Sequence, residues 1–235
     1  MLTVEGLNVY IQASHILRDV TLEVGERELV CLVGRNGAGK TTTLRAIMGY
    51  LKPAAGRIEF NGRSLVGLPT YAIARAGLGF SPEDSAIFGD LTAEENIEIS
   101  TWTQRRGRPA SERVEGAYAV FPGLRAYASR GGTQLSGGER KMLSIARAVA
   151  LDPELLLLDE PFEGLSPAII PTISDGIAEI TKRGHGVLVA ESNIHHVPEY
   201  ASRLYVIERG EIVFAGKPQE VLQNAGVLRI IGGAT

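Results

Sequence analysis

The segment Gly34-Arg35-Asn36-Gly37-Ala38-Gly39-Lys40-Thr41 carries the pattern G-x-x-x-x-G-K-[ST] in full. Glycines allow successive backbone N–H groups to curl round a phosphate, and a helix starting here adds the favourable charge of its N-terminus. Lys40 is placed to reach the β- and γ-phosphates of a nucleotide and the Thr41 hydroxyl to bind Mg²⁺, with Thr42 directly behind. A second set of residues lies far along the chain, where the apolar run Leu155-Leu156-Leu157-Leu158 ends in Asp159-Glu160. A buried strand of a parallel sheet delivers such carboxylates to its C-terminal edge, beside a phosphate loop. Asp159 would then hold Mg²⁺ through its water shell, and Glu160 would polarise an attacking water. A third set, Leu135-Ser136-Gly137-Gly138-Glu139, stands before a helical pattern. Ser136, Gly137 and Gly138 offer a hydroxyl and exposed N–H groups at a positive helix end, an anion site that needs no lysine.

These residues need a scaffold, and the chain supplies one. Strand patterns run over Leu2 to Ile11, Ile16 to Val24 and Glu28 to Val33, the last feeding the Gly-rich turn. A helical pattern follows from Lys40 to about Leu51, closed by Lys52-Pro53. Short strands are expected at Arg57 to Asn61 and Leu78 to Ser81. From about Glu83 to Ala150 the strand signal disappears, with helix starts at Thr92, Ser111 and Ser136. Strands return at Leu155 to Leu158 and Val187 to Ala190, and a hairpin over Leu204 to Glu208 and Glu211 to Ala215 turns on Arg209-Gly210. The pattern is an α/β nucleotide-binding core interrupted by a mostly helical insertion.

The bulk properties agree. A chain of 235 residues that is 44% hydrophobic and 22% charged has the composition of a folded domain with a core of its own, which excludes disorder. A net charge of -3 gives no global attraction for nucleic acid. The lone Cys31 has no cysteine to pair with and sits in an apolar run, so a buried thiol of a cytosolic protein is expected. The longest apolar runs fall short of a membrane span, and the first residues do not read as a signal peptide. Arg105-Arg106-Gly107-Arg108-Pro109 reads as a solvated basic loop within reach of lipid phosphates.

Taken together, the phosphate loop, the Ser136-Gly137-Gly138 turn and the Asp159-Glu160 pair resemble the motifs of ABC ATPases, in that family's order. The resemblance implies an α/β fold with a P-loop (RecA-like) core at 1–82 and 151–235, an N-terminal antiparallel β subdomain and a helical subdomain at about 83–150. It implies two ATP molecules sandwiched between two subunits, each signature turn facing the γ-phosphate held on the other, and Tyr10 stacking on adenine. A Tyr10 ring packed in the core is the competing reading. Ser14-His15-Ile16-Leu17 and Leu91-Thr92-Ala93-Glu94-Glu95-Asn96 further resemble the ATP-binding subunits of importers for branched-chain amino acids, urea or short amides. Such subunits hydrolyse ATP with Mg²⁺ on the cytoplasmic face of the inner membrane. They dock on transmembrane permease subunits, here expected around Glu83 to Asn96, pair with a second ABC ATPase subunit and serve a substrate-binding protein indirectly.

The chain also departs from the wider family pattern. Glu83 occupies the usual glutamine position between core and insertion, where it could accept from Mg²⁺ waters but not donate as an amide does. Ser166 stands where many relatives have an aspartate, and Phe162 replaces a small hydroxyl residue. The switch histidine expected to contact the γ-phosphate is Ser192, with His195 or His196 as substitutes from the next helical turn. Two readings therefore stand: an ATP-hydrolysing importer subunit using Glu160, Lys40, Glu83 and Ser192, or an ATP-gated interaction module with weak hydrolysis. A soluble ABC protein of DNA repair or translation fits less well, because the charge is acidic and a second ABC half and a long coiled-coil insert are lacking.

Overall fold

The structure is a computed structural model that describes residues 1–102 and 108–232. Strands β1 (Leu2–Ile11), β2 (Ser14–Val24), β4 (Ala55–Phe60) and β5 (Arg63–Ser64) form an antiparallel sheet in the order β2-β1-β4-β5. A second sheet runs β10-β9-β3-β8-β7-β6. Its strands are β3 (Leu29–Val33), β6 (Leu78–Ser81), β7 (Leu155–Asp159), β8 (Gly186–Glu191), β9 (Arg203–Glu208) and β10 (Glu211–Gly216). All its neighbours are parallel except the β9–β10 hairpin, which turns on Arg209 and Gly210 with φ of 48° and 85°.

Helices α1 (Lys40–Ile47) and α2 (Thr70–Arg75) belong to the first part of the chain. The helices α3 (Ala93–Thr101), α4 (Ala110–Val120) and α5 (Gly137–Ala150) lie between β6 and β7. The helix α6 (Ile170–Lys182) joins β7 to β8, and α7 (Pro218–Gln223) and α8 (Ala225–Gly232) follow the hairpin.

The buried β3 strand explains the layering. Val30 and Leu32 pack with the antiparallel sheet, α1 and Ile73 of α2, whereas Leu29, Cys31 and Val33 pack with α3, α4, α5 and α6 on the other face. A strand buried on both faces reads as an unbroken apolar run, as this one does. Cys31 is fully buried, and that burial pushes its thiol pKa up to about 12.

Several boundaries differ from the sequence reading. Helix α1 stops at Ile47, short of Leu51, because Gly49 takes a left-handed φ of 76° that ends the helix ahead of Pro53. Helix α4 begins at Ala110 behind Pro109, so Ser111 is not its cap. The expected helix at His195 is a single 3₁₀ turn, Ile194–His196, with Pro198 close behind. Helices α2 and α6 carry no expectation from the sequence. The helix starts expected at Thr92 and Ser136 are present, and each carries a capping box, closed by Glu95 and Glu139. Arg105, Arg106 and Gly107 of the basic loop lie outside the described residues, while Arg108 pairs with Asp152 at 2.5 Å. Among the described residues no helix is long and apolar enough to cross a membrane.

Candidate functional site: a phosphate pocket at the carboxyl ends of the strands

The turn 34–39 connects β3 to α1, so the first helical N–H groups of α1 open onto the loop. Gly39 adopts φ 116°, a region closed to side-chain-bearing residues, and a Cβ at Gly34 would run into the Ile207 carbonyl. Glycine is thus required at both ends of the turn. Arg35, Asn36 and Gly37 are exposed at its tip, and Ala38 is buried beneath.

Strand β8 separates β3 from β7 and sets the acids beside this loop. Thr41 Oγ donates to Asp159 Oδ1 at 3.1 Å, and Lys40 Nζ lies 3.1 Å from Glu160 Oε1. Lys40 is 4% exposed, and its ammonium also donates to the Gly34 and Arg35 carbonyls at 2.7 and 3.2 Å. The residues Asn36, Gly37, Gly39, Lys40, Thr41, Thr42, Glu83, Glu160 and Glu163 line a pocket of about 460 Å³ together with Ile11 and Ile16. A larger concavity of about 660 Å³ lies at the opposite ends of the strands, where arginines and acids such as Arg108 and Asp152 neutralise each other. The smaller pocket is the one with convergent chemistry.

Crowded acids dominate its electrostatics. Burial, with Glu83 and Glu160 nearby, pushes the Asp159 carboxyl up to about 6, against the opposing Thr41 hydrogen bond and the Lys40 charge. Glu163 is raised by burial and by the Glu83 and Glu160 charges nearby. The donors available to a metal are a hydroxyl and carboxylates, the hard oxygen set that Mg²⁺ prefers. Among the described residues no three acids, histidines or cysteines form a complete metal cage.

Glu160 itself has φ 45°, in the left-handed region, which costs a non-glycine residue roughly 1–2 kcal/mol. Its backbone N–H donates to the Ala190 carbonyl at 2.9 Å, and its Oε2 accepts from Ser192 N–H at 3.0 Å and Ser192 Oγ–H at 3.1 Å. Ser192 therefore grips the Glu160 carboxylate from two donors. His195 is exposed, and His196 turns toward Glu191, with Nδ1 3.2 Å from Glu191 Oε2.

Two predicted regions stand outside the pocket lining. Ser136 and Gly137 are exposed and Gly138 is half-buried at the start of α5. Tyr10, half-exposed, stacks on His15 with ring centroids 4.2 Å apart and planes 7° from parallel. A core role for Tyr10 is thereby excluded. The sequence reading missed two buried groups. Glu191 is 1% exposed, and Lys141 donates to the Glu83 carbonyl at 2.6 Å, tying α5 to the start of the helical insertion. An acid closing an apolar strand gives no sign of burial, and a lysine one turn into a helix looks solvated; only tertiary packing reveals either.

Comparison with known proteins identifies the family. Residues 17–163 match the family described as ABC transporter. The chain is 37% identical over 228 residues to the high-affinity branched-chain amino acid transport ATP-binding protein BraG of Pseudomonas aeruginosa, covering 97% of each. It is 34% identical over 235 residues to the lipopolysaccharide export system ATP-binding protein LptB of Haemophilus influenzae, covering 99% of this chain and 97% of the relative. The solved ATP-binding subunit of an ABC transporter superposes with a TM-score of 0.83 at 27% identity, over 100% of this chain and 95% of that one. A nucleotide-free ATP-binding cassette shares the fold with a TM-score of 0.85 at 23% identity, over 98% of both chains. The chain belongs to the ABC transporter family, as one of its ATP-binding, ATP-hydrolysing subunits.

Proposed function

We propose that the chain energises an importer for branched-chain amino acids or a related small polar solute. It works from the cytoplasmic face of the membrane with transmembrane permease subunits, a second ABC ATPase subunit and, indirectly, a substrate-binding protein. The full-length similarity to BraG supports the solute class. The single observation that carries the catalytic reading is the paired contact of the phosphate loop with consecutive acids, Thr41 on Asp159 and Lys40 on Glu160.

In this reading the loop N–H groups and Lys40 bind the β- and γ-phosphates, and Lys40 leaves Glu160 for the incoming phosphate. Thr41, Asp159 and Glu83 would hold Mg²⁺, which supplies charge neutralisation on the phosphates. Glu160, released from the ammonium but still held by Ser192, orients and polarises water through its free oxygen. Tyr10, already paired flat with His15 and next in sequence to the pocket-lining Ile11, would stack on adenine. Ser136 and Gly137 face solvent, with Gly138 half-buried behind them, which suits a half-site for the γ-phosphate on a second subunit. The division into a core of 1–82 and 151–235 and a helical subdomain of about 83–150 is supported by the helices α3, α4 and α5 that lie between β6 and β7 among the described residues.

Similarity to LptB favours a second reading, a role in lipopolysaccharide export. Uptake of labelled branched-chain amino acids into cells with and without the chain separates the two. Loss of uptake, restored by the wild-type chain and not by Glu160→Gln, supports the importer. Unchanged uptake with defective lipopolysaccharide export overturns it.

A further inference from the structure

His196 stands at the end of a directed chain of hydrogen bonds. The Asn193 side-chain oxygen accepts from the His195 backbone N–H at 3.0 Å, which leaves the Asn193 amide nitrogen as the donor toward His196 Nε2 at 3.4 Å. With Nε2 accepting, the ring proton of a neutral imidazole resides on Nδ1, and it donates to Glu191 Oε2 at 3.2 Å. Burial lowers the His196 pKa, in keeping with a neutral ring. The Phe162 ring lies against the imidazole, with centroids 5.3 Å apart.

Glu191 carries this order to the catalytic turn. Its Oε1 accepts the Phe162 backbone N–H at 3.2 Å. A strained left-handed residue persists only where its surroundings over-determine it. Here Glu160 is tied on one side by Ala190 and Ser192, and Glu191 ties the residue two positions beyond it. The ends of the turn are thus both fixed from three consecutive residues, the last two of β8 and Ser192 just beyond it.

We propose that His196 is a positioning residue for ATP hydrolysis, which orients Glu191 so that Glu191 locks the left-handed turn presenting Glu160. The inference rests on the reading of Glu160 as the general base. It also gives Phe162 a role: its ring backs the imidazole and its N–H is the handle that Glu191 holds.

The test compares ATP turnover of the full chain, at saturating Mg²⁺ and ATP, across four variants. His196→Leu keeps bulk beside Phe162 and removes both ring nitrogens; His196→Asn returns an amide N–H near the lost Nδ1. Misplacing a catalytic group costs rate more than ground-state binding, so His196→Leu is expected to lower kcat about tenfold with KM for ATP unchanged. His196→Asn should recover much of that loss, and His195→Ala should turn over like the wild type. Wild-type kcat in His196→Leu overturns the proposal, as does a joint loss of kcat, KM and thermal stability that His196→Asn fails to rescue. Glu160→Gln runs alongside. Full turnover there sinks the base reading itself, whereas an inactive Glu160→Gln beside a fully active His196→Leu sinks the positioning role alone.

Discussion

The loop at 34–41 and the turn at 136–138 both begin helices, and both are built to meet an anion, yet one is enclosed and the other bare. The loop is roofed by its own carbonyls, by Asp159 and by Glu160, so its lysine is buried and its hydroxyl is spoken for. The signature turn spends Ser136 on its own capping box with Glu139, and Gly137 faces outward. Within one chain the first half-site is chemically whole and the second has nothing to act on. The contrast is what the proposed pairing of two subunits requires, each completing the other.

Breaking the enclosed half should have the largest effects. Glu160→Gln keeps shape and hydrogen bonding but removes the base, so turnover should fall by ~10²–10⁴-fold in a steady-state ATPase assay. ATP binding should survive, because the phosphate contacts remain. Lys40→Ala removes charge-assisted contacts worth about 1.5–3 kcal/mol each, so equilibrium titration should show nucleotide affinity down roughly tenfold to a hundredfold. The helix itself should persist, since alanine is a good helix former.

Sharper tests address the grip on Glu160. Ser192→Ala removes the hydroxyl donor and leaves the backbone N–H, so kcat should fall about tenfold or less while KM holds. A Ser192→Ala enzyme with wild-type kcat would mean the hydroxyl contact is idle.

The smallest expected effect is on stability. Burial, together with the Glu160 charge, raises the Glu191 carboxyl to about 8; His196 and Cys31 face it as well. A raised acid stabilises the fold fully below its unfolded pKa, about 4.3, and that contribution is lost as pH rises through about 8. The melting temperature of the nucleotide-free chain should therefore decline from pH 5 to pH 8, and Glu191→Gln should flatten the decline. A slope unaltered by Glu191→Gln would assign it to other groups.

Much of this was legible in sequence, for physical reasons that can be named. β1 matches its expected limits because Leu2, Val4, Leu7 and Val9 are buried on one side and turn residues follow Ile11. The phosphate loop, the Asp159-Glu160 pair and the capped start of α5 depend on local chemistry, so spacing alone locates them. Helix α6 left no readable start: Gly164, Pro167 and Pro171 interrupt the pattern, although Pro171 sits in the first turn, where a proline is tolerated. The clamp from Glu191 and Ser192 depends on β8 lying between β3 and β7. Strand order of that kind is a tertiary fact with no local signature.

The contrast between the two half-sites has one direct test. Gly137 has open space where a Cβ would stand and an ordinary negative φ, so Gly137→Asp should fold normally. An acid at the first helical position even suits the helix dipole. The aspartate would nonetheless oppose the γ-phosphate brought by a second subunit. The measurement is ATP affinity and ATP turnover on the same purified Gly137→Asp chain. The account predicts unchanged affinity, set by the enclosed loop, with turnover reduced toward that of Glu160→Gln. Wild-type turnover in Gly137→Asp would contradict it, because hydrolysis would then proceed without the turn at 136–138.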